Sequence, residues 1–219
     1  MKMEKIAEGI FKLDGRLATL NMVKGERVYG EDLIDYKDKE YRSWTPYRSK
    51  LSAAIMNGLK TIAIKPGSSV LYLGASTGTT PSHVSDIVGE DGEVYCVEIS
   101  ERSMRDLIKV CEKRHNLFPI LQDARNVEAY AGEIGKADVI YQDVAAKDQD
   151  QILLRNCALL KENGYAYVAI KSQSIDVSKK PEAVYEEFIK TISSKFKLVE
   201  EIDTMPYDKM HLFVALQKI

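Results

Sequence analysis

Residues 70–81 read VLYLGASTGTTP. The apolar run at 70–73 predicts a buried strand, and the small residues after it predict a tight turn into a helix. Thr80 is the expected N-cap of that helix and Pro81 its first residue. Ligands of doubly wound folds bind at such turns, at the carboxyl edge of the sheet. By itself, the turn fits a bound ligand and a ligand-free connection equally well.

The spacing of the two glycines in this turn separates the candidate ligands. Gly74 and Gly78 form G-x-x-x-G, which lacks the third glycine of the dinucleotide-binding pattern G-x-G-x-x-G. No lysine follows Gly78 as a P-loop requires. Dinucleotides and nucleoside triphosphates are therefore disfavoured as ligands.

Strands and helices alternate on both sides of this turn, which predicts βαβ units and a mainly parallel, doubly wound α/β sheet. Further apolar runs predict strands at residues 94–97, 118–121, 138–141, 165–170, 196–202 and 211–216. Residues 203–210 are too few for a crossover helix between the last two strands. One of these two strands is therefore expected to run antiparallel to the rest.

The first 47 residues have a different pattern. Short β-prone segments at residues 9–13, 17–20 and 27–30 alternate with turn residues, which predicts a small antiparallel sheet. Helical spacing of apolar residues begins near Lys50. We therefore expect a β subdomain over residues 1–47 and the α/β domain over residues 48–219.

Composition limits the possible roles of the protein. Its 219 residues are 45% hydrophobic, which suits one main globular domain with a modest extension. The 31 basic and 33 acidic residues give a net charge of −2, so the chain should attract RNA phosphates weakly. No apolar run reaches the roughly 18 residues that span a bilayer, so no membrane role is expected. The three cysteines form no C-x-x-C pair, which predicts a cytoplasmic protein without a disulfide framework or zinc cluster.

Acidic residues stand at the ends of three predicted strands. Glu98 ends the second strand, Asp123 follows the third and Asp143 ends the fourth. A carboxylate in the first position can accept hydrogen bonds from ribose hydroxyls, and one in the second position from the amino group of adenine. Together they predict an adenosine ligand without pyrophosphate, although each alone could be a helix cap or a solvated charge.

Two further side chains are expected near Asp143. Lys171 follows the fifth predicted strand, and with Asp143 it forms either a proton-transfer pair or a plain salt bridge. His211 begins the last strand and either borders the same crevice or is a structural histidine. His83 and His115 are expected to be structural or solvated.

Several segments together resemble the fibrillarin family, in particular the archaeal fibrillarin-like RNA 2′-O-methyltransferases. The similar segments include residues 27–31, 44–51, 72–75, 123–125 and 143–145. The most specific is W-x-P-x-R-S-K-L at 44–51, and the resemblance covers about the whole chain. It implies a Rossmann-like class I S-adenosylmethionine-dependent methyltransferase with a seven-stranded sheet and a small N-terminal β extension.

The resemblance also implies the residues of the site. The implied catalytic set is Lys50, Asp143, Lys171 and His211, of which Lys50 is suggested by the resemblance alone. The candidate residues for S-adenosylmethionine are Gly74, Gly78, Thr79, Thr80, Glu98, Ile99, Asp123, Ala124, Asp143, Val144, Ala145 and Ala146.

The implied activity is methylation of ribose 2′-hydroxyls in rRNA or tRNA. The family works in box C/D guide ribonucleoproteins, with a Nop-family scaffold protein, a kink-turn-binding protein and a guide RNA. Two alternatives stay open: a methyltransferase with another substrate, and a non-catalytic subunit that binds the cofactor and the scaffold. A nicotinamide-dependent oxidoreductase is a weaker third alternative because of the missing glycine.

Overall fold

The computed structural model describes residues 1–209 and 211–219. Met210, which belongs to the predicted connection between the last two strands, lies outside the described residues. The chain forms two sheets, one from its first 43 residues and one from residue 69 onward.

The N-terminal sheet is antiparallel, as the sequence predicts. Its strands are β1 (Met3–Ala7), β2 (Ile10–Leu13), β3 (Arg16–Leu20), β4 (Leu33–Tyr36) and β5 (Lys39–Ser43), in the order β1-β2-β3-β5-β4. The prediction of a strand at residues 27–30 is wrong, because the residues between β3 and β4, all of which the structure describes, form no strand. The backbone N–H groups of Val28 and Tyr29 donate to the Glu31 carboxylate at 3.0 and 2.8 Å. A side chain thus satisfies backbone donors that the prediction assigned to a β ladder.

The second sheet has seven strands, and its doubly wound architecture confirms the predicted fold class. The strands are β6 (Ser69–Leu73), β7 (Glu93–Glu98), β8 (Leu117–Leu121), β9 (Ala137–Gln142), β10 (Leu160–Lys171), β11 (Phe196–Asp203) and β12 (His211–Lys218). Their order is β11-β12-β10-β9-β6-β7-β8. Strand β12 runs antiparallel to both of its neighbours, as expected for a final hairpin. The strand order reverses direction between β6 and β9, which is where ligands of such sheets bind.

Seven α-helices occur within the described residues. They are α1 (Lys50–Met56), α2 (Thr79–Val88), α3 (Glu101–Cys111), α4 (Ala131–Ile134), α5 (Gln149–Asn156), α6 (Ser172–Ile175) and α7 (Pro181–Ile192). No helix in the described part of the chain combines the length and apolarity needed to cross a membrane.

The start of α2 differs from the prediction. Gly78, not Thr80, is the N-cap residue, with φ at 89°. A Cβ atom on Gly78 would lie 3.0 Å from Leu107 Cδ1, so the turn packs closely on α3. Thr80 lies inside the helix and donates its hydroxyl proton to Ser49 Oγ at 3.0 Å. Tertiary packing on α3 therefore decides where α2 begins.

The two sheets share one apolar core. Ile10, Leu17 and Trp44 pack in the same buried cluster as Tyr72 and Val84 of the large sheet and α2. The N-terminal sheet thus buries its apolar face against the α/β domain. The proposed domain boundary between residues 47 and 48 stays a prediction.

Four charged side chains from both parts of the chain form a buried cluster. Arg42 Nη1 lies 2.8 Å from Asp86 Oδ2, and Arg42 Nε donates to Glu31 Oε1 at 2.6 Å. Arg114 Nη1 approaches Asp86 Oδ1 to 2.5 Å. Each of the four side chains is at most 1% exposed. We call Glu31, Arg42, Asp86 and Arg114 the ionic cluster; its two arginines balance its two carboxylates.

His83 lies beside this cluster and is structural. The Thr19 hydroxyl donates to Asp86 Oδ2 at 2.8 Å, so it must accept the Nδ1 proton of His83, also at 2.8 Å. Tyr29 Oη lies 2.7 Å from His83 Nε2, and the ring stacks on Trp44. Burial, with Arg42 and Arg114 nearby, holds the pKa of His83 well below its usual value, so the ring is neutral.

Removing the charge of Asp86 should destabilise the whole fold. We expect Asp86→Asn to lower the free energy of unfolding by about 3–5 kcal/mol, because Arg42 and Arg114 lose their buried counter-ion. Urea unfolding followed by the fluorescence of Trp44 measures this loss. The matched control is Asp32→Asn, which breaks an Arg16–Asp32 pair with side chains 58% and 69% exposed. The control should cost less than about 1 kcal/mol; equal losses for the two variants would contradict the role of the ionic cluster.

Candidate functional site

A cavity of about 310 Å³ opens at the carboxyl ends of β6, β7, β8 and β9. The predicted site residues that line it are Gly74, Glu98, Ile99, Asp123, Ala124, Asp143, Val144, Ala145, Ala146 and Lys171. Five predicted site residues are not among the lining residues: Gly78, Thr79 and Thr80, which lie at the start of α2, and Lys50 and His211. The strand-end carboxylates are therefore brought to one crevice at the reversal point of the sheet.

Gly74 allows two strand ends to approach each other at this crevice. Its φ is 84°, and a Cβ atom there would lie 2.9 Å from the carbonyl oxygen of Asp143. The N–H of Asp143 donates to the Leu73 carbonyl at 2.9 Å. A larger residue at position 74 would push the Asp143 backbone away, so the glycine helps to place this carboxylate.

The Glu98 carboxylate is held by two backbone donors. Ser76 N–H donates to Oε2 at 2.7 Å and Ser100 N–H to Oε1 at 2.8 Å. Each carboxylate oxygen keeps a second lone pair, so both can still accept a hydrogen bond from a ligand hydroxyl. The neighbouring Ile99 is 61% exposed and offers an apolar surface to a flat ring. This wall of the cavity suits a ribose joined to an aromatic base.

Arg125, which is not among the site residues predicted from the sequence, holds the Asp123 carboxylate. Its Nη1 lies 3.1 Å from Asp123 Oδ2, and its Nη2 lies 2.6 Å from Asp148 Oδ1. The hydrogen bond to Asp148 is the main cause that raises the pKa of Arg125, and the same bond lowers the pKa of Asp148. The guanidinium lies between the two carboxylates and so holds the Asp123 side chain in place at the cavity wall.

Two lysines contact Asp143, and one of them, Lys171, also lines the cavity. Lys171 Nζ lies 2.7 Å from Asp143 Oδ1 and donates to the Asp143 carbonyl at 2.9 Å. Lys50 Nζ lies 3.2 Å from the same carboxylate. The three side chains are between 15% and 19% exposed. The structure thus joins Lys50, which spacing alone did not reveal, to the pair expected at the strand ends.

The segment before α1 explains how Lys50 reaches this position. Ser49 is the N-cap of α1, and its Oγ accepts from Ser52 N–H and from the Thr80 hydroxyl. Ser52 Oγ donates to the Trp44 carbonyl at 2.8 Å. Trp44 itself is 1% exposed. The residues of the W-x-P-x-R-S-K-L segment therefore anchor the start of α1, and Lys50 is its first helical residue.

His211 borders the same group of charges. It lies opposite Lys171 in the β10–β12 ladder. Its Nδ1 is 2.7 Å from Oδ1 of Asp208, and Oδ2 of Asp208 is 3.8 Å from Lys50 Nζ. Asp208 is not predicted as a site residue from the sequence, because nothing in the local pattern indicates that a turn residue faces a lysine 158 positions earlier.

This arrangement can act on a hydroxyl group. A partly buried carboxylate accepts the hydroxyl hydrogen bond, and two ammonium groups beside it supply positive charge where an oxygen gains negative charge. The cavity wall that suits an adenosine adjoins this centre. The chemistry supported by the geometry is therefore transfer between an adenosine-bearing ligand and a hydroxyl.

Over most of its length, this chain is similar to proteins of one family. The fibrillarin family model matches residues 1–218. A Pyrococcus furiosus protein named fibrillarin-like rRNA/tRNA 2′-O-methyltransferase is 50% identical over 204 residues, which cover 93% of this chain and 90% of that protein.

Two solved structures are also similar over nearly the whole length. Aeropyrum pernix fibrillarin with natively bound S-adenosyl-L-methionine has a TM-score of 0.91 and 41% identity, covering 99% of this chain and 98% of its own. The fibrillarin of a fibrillarin/Nop5p complex has a TM-score of 0.89 and 37% identity, covering 97% and 98%. Since the family model, the relatives and both sheets agree from the first strand to the last, this chain belongs to the fibrillarin family.

Proposed function

We propose that this chain is the catalytic subunit of a box C/D guide ribonucleoprotein and transfers a methyl group from S-adenosylmethionine to ribose 2′-hydroxyls in rRNA or tRNA. The observation that carries the proposal is the Lys50–Asp143–Lys171 cluster at one end of the strand-end cavity. The names of the Pyrococcus furiosus relative and of the Aeropyrum pernix structure support the reaction and the cofactor.

The residues of the cavity fit S-adenosylmethionine. Glu98 would accept hydrogen bonds from the ribose hydroxyls, while Ile99, Asp123 and Ala124 would surround the adenine. Gly74 and residues 143–146 would border the methionine end. Gly78, Thr79 and Thr80 would act from the start of α2, whose free N–H groups favour a carboxylate. When bound, the cofactor supplies a methyl group on a positively charged sulfur.

The cluster around Asp143 would position the attacking hydroxyl and handle its proton. Asp143 accepts the hydrogen bond of the 2′-hydroxyl, and Lys171 holds that carboxylate in place. The hydroxyl oxygen bonds to the methyl carbon as the carbon–sulfur bond breaks and its electron pair stays on sulfur. The hydroxyl proton passes to Asp143 and then to water. Positioning supplies much of the rate, since well-oriented groups can lower a barrier by about 7–11 kcal/mol.

Partners would bring the RNA to this site. A net charge of −2 gives the chain little attraction for RNA phosphates by itself. The fibrillarin/Nop5p complex supports a Nop-family scaffold as the direct partner. A kink-turn-binding protein, a guide RNA and the paired target RNA complete the proposed assembly. A cytoplasmic location is part of the proposal and is supported by three unpaired cysteines.

A target that lacks one oxygen atom tests this function. The assembled protein, scaffold, kink-turn-binding protein and guide RNA are given labelled S-adenosylmethionine and either a normal target or one with a 2′-deoxy nucleotide at the paired site. We expect label on the normal target alone, because only that target has the attacking hydroxyl. Label on both targets would indicate another substrate atom. A verified assembly that binds the cofactor and transfers no label would indicate a non-catalytic subunit.

Removing the charge of Glu98 should weaken cofactor binding. We expect Glu98→Gln to raise the dissociation constant of S-adenosylmethionine about 10-fold, because charged acceptors make stronger hydrogen bonds to hydroxyls than amides do. Titration calorimetry with the cofactor measures the constant. Glu93→Gln, at the opposite end of β7, is the matched control and should leave the constant unchanged. An unchanged constant in Glu98→Gln would remove Glu98 from the site.

A further inference from the structure

Asp208 is a carboxylate at the site for which the proposed mechanism has no role. Its Oδ1 lies 2.7 Å from His211 Nδ1, and its Oδ2 lies 3.8 Å from Lys50 Nζ. Its side chain is 29% exposed, so solvent screens these contacts only in part. One carboxylate therefore contacts two members of the predicted catalytic set.

The turn that carries Asp208 is held by a buried threonine. Thr204 is fully buried, and its Oγ1 lies 3.0 Å from the Asp208 carbonyl and 2.9 Å from the His211 carbonyl. The N–H of Asp208 donates to the Thr204 carbonyl at 3.1 Å. The backbones of Asp208 and His211 are thus tied to the same residue, which fixes their separation.

The same turn is tied to the helix that carries Lys50. Asn57 is the C-cap of α1, and its Nδ2 donates to the carbonyls of Asp203 and Met205 at 2.6 and 2.7 Å. Lys50 is the first residue of that helix. Both ends of α1 therefore contact the turn: one end through the Asn57 amide and the other through the Lys50–Asp208 pair.

The contact with Asp208 determines the protonation pattern of His211. An ionised carboxylate can only accept a hydrogen bond, so Nδ1 of His211 must carry the proton. In a neutral ring, Nε2 is then left as an acceptor. A buried carboxylate orients the histidine of serine hydrolases in the same way. Since His211 lies opposite Lys171 in the ladder, this oriented ring borders the group around Asp143.

We propose that Asp208 is a positioning residue that holds His211 in the Nδ1-protonated form and holds Lys50 beside Asp143. The proposal rests on the proposed function for its effect on methyl transfer. Its effect on the His211 ring does not depend on that function. Asp208 acts through His211 and Lys50 and is assigned no contact with the cofactor or the ribose.

The tautomer of His211 can be measured directly. Long-range ¹H–¹⁵N NMR at pH about 8, where an ordinary histidine is neutral, should show a proton on Nδ1 of His211 in the wild-type chain. Asp208→Ala should change this pattern to a mixture of tautomers. The chain has three histidines, which limits the assignment to three rings. His83, held by Thr19 and Tyr29, should keep its pattern and so report that the variant is folded.

Methyl transfer in the assembled ribonucleoprotein is the second measurement. We expect Asp208→Ala and Asp208→Asn to lower kcat about 10-fold or more while the KM for S-adenosylmethionine is unchanged. Asp208→Glu should recover part of the loss because it restores the charge. The matched control is Asp38→Asn, in a β4–β5 turn where φ is 62°, a conformation that asparagine adopts readily.

Each outcome decides a separate point. A wild-type tautomer in Asp208→Ala, or full kcat in both Asp208→Ala and Asp208→Asn, would overturn the positioning role. A wild-type assembly without activity would overturn the proposed function, and the NMR result would then decide by itself whether Asp208 holds His211 in the Nδ1-protonated form.

Discussion

The buried carboxylate of Asp86 is the contact on which the arrangement of this protein depends. It accepts hydrogen bonds from Arg42 of the N-terminal sheet and from Arg114, which follows α3, while the helix that bears it belongs to the α/β domain. Charges this deeply buried are stable only when they are paired. This pairing fixes the position of the N-terminal sheet against α2, in which Glu31 accepts a hydrogen bond from Arg42 and supplies the second negative charge.

That position determines where Lys50 lies. Strand β5, which carries Arg42, leads within seven residues into α1, and Trp44 and Ser49 are anchored on the way. Asp143 and Lys171 come instead from the ends of neighbouring parallel strands, β9 and β10. The proposed active site is thus assembled from two sources: strand ends that the doubly wound topology gathers, and a lysine held against them by the N-terminal sheet.

The fold could be predicted well from the sequence, because the spacing of apolar residues distinguishes strands from helices and the turn residues mark where they end. Strand-end carboxylates such as Glu98 and Asp143 were found for the same reason, since parallel strands place their carboxyl ends at one edge. The structure differs from the prediction where contacts between segments distant in the sequence determine the local conformation. Because Gly78 packs on α3, α2 begins earlier than predicted. At residues 27–30, backbone N–H groups donate to the Glu31 carboxylate and not to a neighbouring strand. Arg125 and Asp208 act through partners that local spacing does not reveal, and Lys50 was suggested only by family resemblance.

Lys50 and Lys171 contact the same carboxylate of Asp143, and a double-mutant cycle on kcat measures whether the two lysines act as one unit through it. The rates of Lys50→Ala, Lys171→Ala and the double variant would be compared in the assembled ribonucleoprotein, with cofactor binding confirmed for each. Because both lysines contact the same carboxylate, the double variant should be scarcely slower than the slower single variant. A double variant whose fold-loss in kcat equals the product of the two single fold-losses would show that the lysines act independently and would contradict their coupling through Asp143.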